Sequence, residues 1–171
     1  MISELLATVL MSYPNARKNE AFSGNELGRI MRREIPAEIE KTVGTRNYVI
    51  KGSVGQGGWA TVPWIAIMDR RITTTTQHGI YIVYLFSENG NALYLTLNQG
   101  CMDLIKMYGR PRTEQMLSQK AAELRNALSI PKELFDGTHI VTGNKYYDLG
   151  CIAYQEYVMA HFPDDTALCR D

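Results

Sequence analysis

The most constraining stretch of the sequence is Gly79-Ile80-Tyr81-Ile82-Val83-Tyr84-Leu85-Phe86, followed after a short gap by Ala92-Leu93-Tyr94-Leu95-Thr96-Leu97. A nearly unbroken apolar run of this length fits a strand covered on both faces. The gap contains Glu88-Asn89-Gly90-Asn91. Asn-Gly between two strand patterns is a strong hairpin signal, because both central turn positions need positive φ. In the returning strand Leu93, Leu95 and Leu97 share one face. The two runs therefore predict an antiparallel hairpin.

Two further strand patterns precede it. Residues 47–54 read as one and Trp59 to Met68 as another, separated by the glycine turn Gly55-Gln56-Gly57-Gly58. On either side the period is helical. Ile2, Leu5, Leu6, Val9 and Leu10 predict a helix over 2–13 that Pro14 stops. A second helix is predicted from Asn25, closed by Pro36, with one more turn over Ala37–Lys41. After the hairpin, Met102 to Leu128 is helical with a break at Gly109-Arg110-Pro111-Arg112. A turn over Ile130–Phe135, a short strand over Thr138–Val141, a last helix over Tyr147–Phe162 and a polar tail complete the reading. Helices, then consecutive strands, then helices predict an α+β fold. The expected architecture is one domain over 1–171, with a mixed or antiparallel central sheet flanked by N- and C-terminal helices.

Charge narrows the function classes. Eighteen basic residues balance eighteen acidic ones, so binding to nucleic acid by bulk attraction is excluded. The balance is uneven along the chain: 14 basic against 10 acidic residues through residue 120, and 4 against 8 afterwards. The basic excess lies around Arg29, Arg32, Arg33, Lys41, Arg46, Lys51, Arg70 and Arg71, and phosphate recognition needs only a handful of such groups on one face. A solvated surface explains the same pattern.

No cofactor motif is present. The glycine turn lacks the Gly-Lys-Ser/Thr of a phosphate loop, and a strand follows it. His78, His139 and His161 stand apart, and Cys101, Cys151 and Cys169 form no Cys-x-x-Cys pair, so no metal site is signalled. Cys101 and Cys151 read as small core residues of a reduced, cytoplasmic protein. No apolar run approaches the length of a membrane helix.

The segment Gly52-Ser53-Val54-Gly55-Gln56-Gly57-Gly58-Trp59-Ala60-Thr61-Val62-Pro63-Trp64-Ile65-Ala66-Ile67, followed by the Gly79–Phe86 run, resembles the N-terminal DNA-binding domain of McrB-type restriction systems. The likeness is strongest over the core motif 47–100 and extends to Tyr146-Tyr147-Asp148-Leu149-Gly150. The resemblance implies a defence protein's specificity domain, the N-terminal part of a longer chain, that reads 5-methylcytosine or another modified base in double-stranded DNA. It implies base flipping into a pocket, with Trp64 and Leu85 on pocket-wall positions. The loop position that is aromatic in the better-studied member is Gln56 here, and other relatives read duplex sequence without extruding a base. Catalysis is then expected of a nuclease or GTPase partner, with none on this chain.

A flipped base loses stacking worth a few kcal/mol and must recover it between apolar or aromatic walls. Trp64, Leu85 and Trp59 can supply walls, and Gln56 can meet a base edge or fill the gap left in the duplex. Arg46, Lys51, Ser53, Gly55, Gly57, Arg70 and Arg71 are the expected contacts to the DNA backbone. Trp64 beside Pro63 also suits plain packing. Two other classes stay open: a nucleic-acid-processing enzyme using Asp69, Glu88 or Asp103 with a divalent ion, and a protein-interaction module.

Overall fold

A computed structural model describes residues 1–171. Helix α1 (Ile2–Asn19) leads into α2 (Glu26–Arg29), a π-helical stretch (Ile30–Glu34) and α3 (Ile35–Val43). Four consecutive strands follow: β1 (Tyr48–Ser53), β2 (Trp64–Asp69), β3 (Ile80–Phe86) and β4 (Leu93–Gln99). Then come α4 (Met102–Tyr108), α5 (Arg110–Leu128), α6 (Lys145–Gly150), β5 (Ala153–Tyr157), a 3-10 turn (Met159–His161) and α7 (Asp165–Arg170). The five strands form one antiparallel sheet in chain order, β1-β2-β3-β4-β5. The fold is α+β, as the element order predicted, and the β3–β4 hairpin lies at its centre. No helix is long and apolar enough to cross a membrane.

Strand alternation divides the core into two layers. One face presents Ile50, Ile65, Tyr84, Phe86 and Leu93 to α1, to the α2–α3 segment and to Leu168 of α7. The other presents Ala66, Met68, Val83, Leu85 and Tyr94, and packs under Ile140 and Cys151. The unbroken apolar run of β3 is thus explained: both of its faces meet packed layers.

The structure corrects six of the predicted elements. Pro14 does not end α1, which continues to Asn19. Tyr13 and Ala16 are fully buried on the same side as Leu6 and Val9, and that burial outweighs the hydrogen bond the proline removes. Pro36 does not close the second helix either; it falls at the start of α3. The preceding residues widen into π spacing, with the Ile35 amide donating to the Ile30 carbonyl. The π spacing takes up the donor missing at Pro36 and leaves the Met31 carbonyl free to lie on the backbone of Gly52. A Cβ on Gly52 would be 1.7 Å from that oxygen, so only glycine fits there.

The predicted strand over 59–68 begins only at Trp64, because residues 59–63 belong to the connecting loop. The largest revision concerns Tyr147–Phe162, which holds a short helix, a strand and a 3-10 turn where one helix was predicted. Tyr154 and Tyr157 lie at helical spacing, but in β5 they point to opposite layers. Tyr154 meets Tyr94 edge-on at 6.1 Å, while Tyr157 enters the larger core. Pairing Leu93 with Tyr157 through Leu97 with Ala153 also covers the open edge of β4. Thr138–Val141 is not a strand, and the polar tail forms α7, capped by the Asp164 side chain on the Ala167 amide.

Candidate nucleobase cavity and its rim

On the second face of the sheet lies a cavity of about 320 Å³. Trp64 and Leu85 are direct cross-strand partners in β2 and β3, and both line it. Tyr81 and Val83 continue the wall at alternate positions of β3. Tyr146 and Tyr147 of α6 contribute the opposite side, and Met102 and Ile105 of α4 close one end.

Buried amides fix this arrangement. Asn98 Nδ2 donates to the Tyr147 carbonyl at 3.0 Å, and its Oδ1 accepts from the Gln99 amide at 2.8 Å. Gln99 Nε2 donates to the Gly150 and Leu117 carbonyls, both at 3.1 Å, tying α6 and α5 to the end of β4. Both side-chain nitrogens and the Asn98 oxygen have partners, so these hydrogen bonds brace α5 and α6 against the end of β4.

The Tyr81 and Tyr147 phenols keep their protons. Burial pushes Tyr147 up to about 12, against the lowering effect of the Trp64 side chain, and it raises Tyr81, whose hydroxyl donates to the Thr76 carbonyl at 2.9 Å. Burial likewise pushes Tyr13 and Tyr94 up to about 12, raises Tyr84 and Tyr157, and lifts the Cys151 thiol to about 12. Folded values above the unfolded ones mean stability that is complete at lower pH and lost as these groups are forced to ionise. The thermal midpoint is therefore expected to hold up to about pH 9 and fall steeply towards pH 12, with ionisation of these buried tyrosines accompanying unfolding. Ionisation of Tyr13, Tyr81, Tyr84, Tyr147 or Tyr157 at pH 10 in a fully folded chain, followed residue by residue, would contradict this burial.

The glycine loop stands at the same end of the sheet as Trp64, since Ser53 pairs with Trp64 in register. It is rigidly built. The Ala60 amide donates to the Val54 carbonyl at 2.7 Å, and the Tyr13 hydroxyl reaches the Ala60 carbonyl at 2.8 Å. The Ser53 hydroxyl accepts from the Gly55 amide at 3.1 Å. Gly55 has φ near 110°, and a Cβ there would be 2.1 Å from the Gly58 carbonyl oxygen. Gln56 and Gly57 are exposed at the loop tip, outside the cavity lining.

Trp59 is not brought to Trp64 and Leu85. Its ring is edge-on to Tyr13 and Phe22, both at 5.3 Å, and its Nε1 donates to the Glu20 carbonyl at 3.1 Å. It anchors the loop to α1. Arg32 lies over Phe22 and reaches the Gly55 carbonyl at 3.4 Å, bracing the loop from the other side.

The predicted backbone contacts divide into two groups. Lys51 and Ser53 alternate with Ile50 and Gly52, so they share the cavity face of β1. Arg46 and Arg70 are exposed at the far end of β1 and β2, where the Arg70 amide bonds the Asn47 carbonyl. Arg71 is held there by Asp69 at 2.6 Å, and that guanidinium and the Arg71 amide draw the Asp69 carboxyl down to about 2.

The acidic residues considered for metal chemistry are dispersed. Asp69 is engaged by Arg71, Glu88 by Arg17 at 3.0 Å, and Asp103 by His78 at 2.7 Å. No cluster of three or more His, Cys, Asp or Glu side chains is placed to hold a metal ion. Sequence reasoning did not single out Tyr81, Asn98 or Arg110 as cavity residues. Alternation from Leu85 back along β3 reaches Tyr81, whereas Arg110 arrives only through the packing of α5.

A family model described as MrcB-like, N-terminal domain, matches residues 8–171. No curated protein matches the chain.

Proposed function

The chain belongs to the MrcB-like N-terminal domain family, and from that membership and the cavity beside Trp64 we propose that it is the DNA-reading specificity domain of a modification-dependent restriction system. Its ligand on this reading is double-stranded DNA carrying a methylated or otherwise modified base, extruded into the cavity. Cleavage or translocation belongs to a nuclease or GTPase domain or subunit, and this chain contributes recognition alone.

The observation that carries the reading is the Trp64–Leu85 pair on the wall of a cavity of about 320 Å³ whose lining is mainly aromatic and aliphatic. Sites of roughly 300 Å³ upward accommodate small ligands, and a flat base suits walls of this kind. Extrusion costs a few kcal/mol, and stacking on an aromatic wall returns about 1–3 kcal/mol per base. The difference is supplied by burying a modification that a plain base lacks. An added methyl is worth about 0.8 kcal/mol when it leaves water, before any gain in fit. Tyr81 and Tyr147 line the cavity with protonated phenols and so bring neutral polar groups to it, the Tyr81 hydroxyl as an acceptor because its hydrogen is donated to the Thr76 carbonyl. Lys51, Ser53 and the rigid glycine loop stand beside Trp64 as contacts to the strand that carries the base, with Gln56 at the tip.

The test is a binding panel of otherwise identical duplexes carrying one cytosine, 5-methylcytosine, 5-hydroxymethylcytosine, N4-methylcytosine or N6-methyladenine, at two salt concentrations. At least one modified duplex is expected to bind ten-fold or more tightly than the plain one at both salts. Equal, weak binding to every duplex contradicts the reading.

A further inference from the structure

We infer that Arg110 binds the phosphodiester next to the nucleotide whose base enters the cavity. The inference rests on the reading above and names a contact that the glycine loop does not provide. Of the 14 residues lining the cavity, Arg110 alone carries a formal charge. It is exposed, so it belongs to the rim and not to the floor.

Arg110 has no carboxylate partner. The acids on neighbouring helices are already engaged: Glu114 by Lys145 at 2.8 Å, Asp103 by His78, and Asp148 by the Thr142 hydroxyl at 2.7 Å and the Thr142 amide. The first turn of α5 contains no acidic residue. The one side-chain contact of Arg110 is from Nη1 to the Tyr146 hydroxyl oxygen at 3.5 Å. That contact leaves the Tyr146 hydrogen free to donate, so a guanidinium fork and an O–H converge on the same place at the mouth.

A nucleotide with its base inside the cavity must leave its two flanking phosphates at that mouth. The planar fork of arginine matches a phosphate oxygen pair, and a charge-assisted bond there strengthens as the rim loses water. Arg112, two residues on, does not line the cavity; its guanidinium contacts Gln115 at 3.3 Å. It therefore serves as the control for a charge lost from the same helix turn.

The experiment uses the full chain and the most tightly bound duplex of the panel above. In parallel versions, each of the two phosphates flanking the target base is replaced by a neutral methylphosphonate. Arg110→Gln is expected to weaken binding about ten-fold and to reduce the salt dependence by about one phosphate contact. One of the two methylphosphonates is expected to weaken the wild-type chain by a similar factor and to cost Arg110→Gln nothing further. Arg112→Gln is expected to respond to that methylphosphonate as the wild type does.

An Arg110→Gln variant that loses as much as the wild type to both methylphosphonates overturns the assignment. So does a loss confined to one modified base, which would place the guanidinium on the base itself. Failure of the base reading is seen separately, in a wild-type chain that does not discriminate among the panel duplexes. A coupled Arg110–phosphate pair in that case still supports the phosphate contact, and absence of all DNA binding overturns both.

Discussion

Replacing Trp64 by alanine is expected to weaken binding of the preferred modified duplex by roughly ten- to a hundred-fold and to abolish its advantage over plain DNA, the range set by the stacking of one base. Trp64 is half-buried at the start of β2, beside Leu85 and across the cavity from α6. Its removal opens the wall without emptying the sealed part of the core, where Ala66 and Met68 carry the packing. Fluorescence anisotropy with labelled duplexes measures the effect, and an unchanged thermal unfolding profile shows that the fold is intact. Trp64→Phe, which keeps a stacking face, is expected to recover part of the preference. A Trp64→Ala variant that still prefers the modified duplex by the wild-type ratio would remove Trp64 from the wall of the binding site.

The largest expected effect on stability comes from the other side of the sheet. Gly52→Ala places a methyl 1.7 Å from the Met31 carbonyl oxygen and 2.9 Å from the Ile65 side chain. Met31 and Ile65 are both fully buried, so neither can move aside without shifting a helix or a strand. The expected cost is about 3 kcal/mol or more, the upper part of the range for overpacked cores. For a chain of this size that lowers the thermal midpoint by roughly 6–12 °C. Gly58→Ala is the matched control, because a Cβ there meets nothing within 4 Å. Calorimetry showing similar midpoints for the two variants would contradict the contact between the π-helical stretch and β1.

These two predictions mark where the sequence was informative and where it was not. The hairpin and the glycine loop follow from local chemistry, because positive-φ turns and strand patterns act over a few residues, whereas Trp64 and Leu85 were put together by the family resemblance. The Met31–Gly52 approach is invisible locally, because it depends on how a proline-relaxed helix lies across a strand. Both prolines illustrate the same limit. Pro14 and Pro36 carry strong stop signals, yet Pro14 stays inside α1 because burial of Tyr13 and Ala16 outweighs one lost hydrogen bond, and Pro36 follows a π-helical stretch that accommodates its missing donor. Strand β5 was hidden for a different reason. Tyr154 and Tyr157 satisfy a helical period, and only the exposed edge of β4 decides between helix and strand.

The site shows the same division. Trp64 and Leu85 were put on one wall by the family resemblance, whereas Trp59 was grouped with them on chemical type alone and instead anchors the loop between Tyr13 and Phe22. Basic residues near in sequence to β1 and β2 drew attention, although Arg46, Arg70 and Arg71 lie at the end of those strands away from the glycine loop. Arg110 reaches the cavity as the first residue of α5, separated from β4 by α4, so no spacing rule points to it. The equal totals of acidic and basic residues remain consistent with a reader of this kind. Specificity then comes from a shaped, nearly neutral cavity with one cation at its rim, and little of it from the field of the whole molecule.

On the proposed reading, a modified base leaves the duplex and enters the cavity between β2–β3 and α6. The most direct measurement is a crystal structure of the full chain with the preferred modified duplex. The expected result is a base out of the helical stack, against Trp64 and Leu85 and beneath Tyr147. An intact, fully stacked duplex bound elsewhere on the chain, with that cavity empty, would contradict it.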